Sequence, residues 1–102
     1  MQSQPTIIVA DQETLRQVRE YASLKFTITE IATMLFLDAE QLRRQINAPG
    51  ALHDAYEAGK LESQIKYRQK VKEKAEAGDS WAIALLEHWA AQQLEEELGG
   101  YA

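Results

Sequence analysis

Residues 27–47 read TITEIATMLFLDAEQLRRQIN, and this stretch decides the fold. Thr27-Ile28-Thr29-Glu30 has the form of a capping box, in which a threonine hydroxyl and a glutamate carboxylate each satisfy a backbone N–H at a helix start. Ile28, Ile31, Ala32 and Leu35 then recur at helical spacing, which predicts a helix over about 28–35. Phe36 and Leu37 interrupt that pattern. Asp38-Ala39-Glu40-Gln41 reads as a second capping box, and Leu42 and Ile46 give the next helix an inward side. Glu40, Gln41, Arg43, Arg44 and Asn47 are left outside, and Pro49-Gly50 closes the helix. Two short capped helices joined by a tight turn form the helix-turn-helix pattern.

Upstream, Asp11 reads as an N-cap. Leu15, Val18 and Ala22, with Tyr21 beside them, predict a helix over about 12–24. Residues 1–10 read as a flexible arm with an apolar triplet, Ile7-Ile8-Val9. Downstream, nothing forbids one long helix from Ala51 to Ala77. Its stripe is Leu52, Ala55, Tyr56, Gly59, Ser63, Tyr67, Val71 and Ala75, with Leu61 and Ile65 off it. Gly59 marks either a close crossing or a break in that helix. Ala77-Gly78-Asp79 is a stop followed by a new N-cap. An apolar helix over about 80–97 follows, carrying Trp81, Leu85, Leu86, Trp89 and Leu94. The expectation is an all-α protein: one helical domain over 11–98 between an arm and a tail at 99–102.

Bulk composition narrows the function classes. The 102 residues are 45% hydrophobic and 26% charged, which suits one soluble domain. With no cysteine, disulfides and thiolate metal sites are excluded. No apolar run reaches the roughly 18 residues of a membrane span. The start, MQSQPTIIVAD, has neither a basic region nor a long apolar stretch. A cytoplasmic protein without a membrane partner is expected. His53 and His88 share no ligand spacing, and Ser23, Ser63 and Ser80 have no activated-nucleophile context. Gly50, Gly59 and Gly78 stand alone, so no phosphate-cradling loop is present. Neither a catalytic constellation nor a cofactor or metal site is legible.

The net charge of −5 opposes nucleic-acid binding in sum but not in distribution. Lys60, Lys66, Arg68, Lys70, Lys72 and Lys74 face only Glu62 and Glu73 between residues 60 and 74. In a helix-turn-helix the second helix offers its outward residues to the DNA major groove. Arginine pairs with guanine, and glutamine or asparagine with adenine, because each makes two hydrogen bonds to one base edge. Gln41, Arg43, Arg44 and Asn47 are thus candidate base readers. Thr27, Thr29, Lys66, Arg68 and Lys70 are candidate phosphate contacts. Glu40 in the first turn of the reading helix works against this, and Phe36 stands where the turn ordinarily has glycine.

From Thr29-Glu30-Ile31-Ala32 through Leu42-Arg43-Arg44, Ala55-Tyr56-Glu57-Ala58-Gly59-Lys60, the basic helix, Ala77-Gly78-Asp79 and Ile83-Ala84-Leu85-Leu86-Glu87-His88-Trp89, the chain resembles the small terminase subunits of tailed bacteriophages and related phage helix-turn-helix proteins. The resemblance implies recognition of viral double-stranded DNA for packaging, assembly into a homo-oligomer and regulation of a separate large packaging subunit. A second reading keeps the scaffold as a protein–protein adaptor without DNA binding. Trp81, Leu85 and Trp89 are the candidate oligomer or partner interface, since the final helix holds more apolar area than one stripe can hide.

Overall fold

The computed structural model describes residues 8–99, and these are all-helical: α1 (Gln12–Ser23), α2 (Ile28–Met34), α3 (Ala39–Asn47), α4 (Ala51–Glu76) and α5 (Ser80–Gly99). The chain groups into two compact units, Met1–Gln64 and Ile65–Ala102, where the sequence suggested one domain. The border falls inside α4, whose unbroken helix hides it from any pattern of turn residues.

The starts of α1, α2 and α3 are each built by a side chain. The Asp11 carboxylate accepts from the Thr14 amide at 2.7 Å, and that amide holds the carboxyl below the usual carboxylate range. At α2 the box is complete: Thr27 Oγ1 accepts from the Glu30 amide, and the Thr27 amide donates to the Glu30 carboxylate. At α3 only half of the expected box forms. Asp38 accepts from the Gln41 amide at 2.9 Å, and the reciprocal bond is not made. An aspartate caps by itself, because its short side chain already reaches the amide three residues on.

The helix ends repeat one device. After α1, α2 and α4 the chain turns through a left-handed residue: Lys25 (φ 70°), Phe36 (φ 58°) and Gly78 (φ 95°). At each, two backbone bonds close the end: Phe26 and Lys25 amides onto Tyr21 and Ala22 carbonyls, Leu37 and Phe36 onto Ala32 and Thr33, Asp79 and Gly78 onto Lys74 and Ala75. This is the Schellman arrangement, commonly sealed by an apolar contact between its first and last residues. Tyr21 meets Phe26 edge-on at 6.0 Å, and Leu37 packs on the core that holds Ala32. Phe36 thus takes the conformation of the missing glycine. It is not a core residue: its side chain is 95% exposed. Phe36→Gly is expected to raise stability by about 0.5–1 kcal/mol. It removes a left-handed cost of about 1–2 kcal/mol and adds roughly 0.5–1 kcal/mol of unfolded-state entropy. A thermal midpoint that falls instead would show that the ring contributes packing.

The core of the first unit is Ile8, Val18, Ile31, Ala32, Leu42, Ile46 and Leu52. Ile8 is 6% exposed, so this end of the expected flexible arm is anchored, while Val9 faces outward. Residues 1–7, with Ile7, and residues 100–102 lie outside the described residues. Gly59 is buried where α4 crosses α1: a Cβ there would stand 2.8 Å from the Ala22 Cβ and nearer still to the Arg19 carbonyl oxygen. It marks a close crossing, and α4 continues through it. Arg19 and Glu62 pair beside the same crossing. His53 Nδ1 donates to the Ile46 carbonyl at 2.8 Å, tying the start of α4 to the end of α3.

The second unit is a helical hairpin. The latter half of α4 turns at Gly78, and Asp79 caps α5 by accepting from the Ala82 amide at 3.0 Å. Tyr67 and Arg68 both lie against the Trp89 ring, with centroid separations of 6.0 and 4.2 Å.

Candidate nucleic-acid interface

Leu42 and Ile46 bury the inner side of α3 against α2, and Ala39 joins them. At 3.6 residues per turn, the side opposite carries Glu40, Arg44 and Asn47, all exposed. Gln41 and Arg43 were expected outside with them but are half-buried on the two flanks. Arg43 is also committed within the helix pair. It donates to Thr29 Oγ1 at 2.9 Å and lies 3.5 Å from the Glu40 carboxylate. It therefore braces α3 against the start of α2. Arg44, one residue on, has no such partner among the described residues.

Thr27 and Thr29 stand at the start of α2. Both oxygens act as acceptors, from the Glu30 amide and from Arg43 respectively. Each hydroxyl keeps its proton for an outside acceptor, a donor chemistry suited to phosphate. The charges of residues 27–47 are mixed: Arg43 and Arg44 against Glu30, Asp38 and Glu40.

The basic stretch of α4 is not one face. Lys66, Lys70 and Lys74 follow at i, i+4, i+8 and form one exposed row. Arg68 and Lys72 form another on the far side of the seam made by Tyr67, Val71 and Ala75, of which Val71 is buried. The sequence shows five cations in a run from Lys66 to Lys74, and helical geometry divides them. Of the predicted interface residues on α5, Leu85 and Trp89 are half-buried within their own hairpin, and Trp81 is 64% exposed.

No three His, Asp or Glu side chains among the described residues gather as a metal site. No described helix is long and apolar enough to cross a membrane. Set against known proteins, the chain matches no family model, no curated protein and no solved structure.

Proposed function

We propose that this chain is a duplex-DNA-binding protein in which α2 and α3 act as a helix-turn-helix and α3 enters the major groove. The observation that carries the reading is the outward row of Glu40, Arg44 and Asn47 on a short helix seated by Leu42 and Ile46. Arg44 suits guanine and Asn47 suits adenine, and the chemistry of the Glu40 carboxylate admits only a base-edge donor such as the cytosine amine. Arg43 holds α3 to α2, and the Thr27 and Thr29 hydroxyls meet the phosphate backbone. The Lys66–Lys70–Lys74 row adds attraction that ignores sequence. The order of these elements resembles that of small terminase subunits, and a phage packaging role is the biological setting we propose on that likeness.

The test is fluorescence anisotropy with a duplex selected from a random pool, across a salt series. Arg44→Ala is expected to weaken the selected duplex by about 1–3 kcal/mol and to narrow its margin over random sequence. Changing Lys66, Lys70 and Lys74 together to glutamine weakens all duplexes alike and flattens the salt slope by about one for each lysine that meets a phosphate. Absence of binding to any duplex at low salt overturns the proposal. The adaptor reading is favoured by one observation, the carboxylate of Glu40 on the outward face, and under it Arg44→Ala is silent.

A further inference from the structure

The second unit leaves its apolar surface largely uncovered. Two helices enclose little interior: Val71 and Ala82 are buried, while Ile65, Trp81, Leu94 and Leu98 are 56%, 64%, 55% and 58% exposed. A unit below roughly 40 residues seldom holds a core without a metal, disulfides or a second chain. Between the latter half of α4 and α5 lies an open groove of about 730 Å³. Leu86, Trp89 and Ala90 form its apolar side, and α4 supplies Ile65 with the cations Arg68 and Lys72.

The same chain carries an element that fits. In Leu94-Glu95-Glu96-Glu97-Leu98, the two leucines fall four residues apart on one side of α5, and Glu95 and Glu97 flank them at helical spacing. The three glutamates also crowd the C-terminal end of a helix, where the dipole disfavours anions and a facing cation would relieve it. Groove and segment are complementary twice over, apolar to apolar and cationic wall to anionic flank. In a two-fold pair each copy gives its segment and receives the other's.

We propose that the groove is filled by residues 94–98 of a second copy of this chain, with Leu94 and Leu98 on the Leu86–Ala90 floor and a flanking glutamate beside Lys72. This is independent of duplex binding. It deepens the expectation of an oligomer by naming both halves of the contact.

Sedimentation equilibrium of the full chain tests it, with circular dichroism to confirm helicity. The wild-type chain is expected to self-associate at micromolar concentration. Leu94→Lys with Leu98→Lys, both at exposed positions, should leave it monomeric. Lys72→Glu alone should raise the dissociation constant by about tenfold or more, because like charges then face each other across the interface. Adding Glu95→Lys and Glu97→Lys to Lys72→Glu should restore association. A wild-type monomer at several hundred micromolar overturns the proposal. So does self-association that survives Leu94→Lys with Leu98→Lys, or a charge reversal that restores nothing.

Discussion

Gly59→Ala is expected to lower the unfolding free energy by about 2 kcal/mol, although local propensity alone predicts the opposite sign. Alanine in a helix interior gains about 1 kcal/mol over glycine. At Gly59 that gain meets a wall. The new Cβ would stand 2.8 Å from the Ala22 Cβ, and the Arg19 carbonyl oxygen is closer still. Backbone and Cβ atoms cannot rotate away as the tip of a long side chain would. Helix α1 must therefore lift from α4, and the buried Val18 and Ala22 lift with it. Overpacking of this kind costs roughly 1–3 kcal/mol and occasionally more, which outweighs the helical gain. The Arg19–Glu62 pair would stretch too, but both partners are about half exposed and such pairs contribute little. Urea unfolding measures the result. A variant as stable as the parent, or more so, would mean that α1 and α4 do not cross closely at Gly59.

The caps explain how much of the fold is legible in the sequence. Asp11, Thr27, Asp38 and Asp79 announce helix starts because a side-chain oxygen does the work, and residue identity reports it. Ends are harder. Gly78 is visible, whereas Lys25 and Phe36 take the same left-handed conformation without glycine. The legible trace there is the apolar pair that seals the turn, Tyr21 with Phe26 and Ala32 with Leu37, which sequence reading passes over when it searches for glycine. The candidate site divides in the same way. The outward identity of Arg44 and Asn47 follows from helical period alone. That Arg43 reaches across to Thr29 depends on how α3 lies on α2, and no local pattern encodes that placement. Likewise the run from Lys66 to Lys74 looks continuous along the chain, yet alternate residues on a helix face different ways, so its cations separate into two rows.

Leu42→Ala couples the fold to the proposed site and carries the largest expected loss. Leu42 is fully buried and holds α3 onto α2 together with Ile46. Truncating a buried leucine costs about 2–5 kcal/mol, and the loss grows where surrounding atoms cannot collapse into the cavity. Here Ile31, Ala32 and Ile46 belong to short helices fixed at both ends, so a value near 3 kcal/mol is expected. For a domain of this size that corresponds to a fall in melting temperature of roughly 12–24 °C. Such a loss is a large share of the 5–15 kcal/mol that typically holds a domain together. The consequence for function separates positioning from contact. Leu42→Ala should lower thermal stability and weaken duplex binding together, because Arg44 and Asn47 keep their chemistry but lose a fixed helix to present it. Arg44→Ala should weaken binding at an unchanged melting temperature. If Leu42→Ala binds the selected duplex as tightly as the parent while its melting temperature falls, α3 is not the element that meets DNA. The row of Glu40, Arg44 and Asn47 would then be solvated surface.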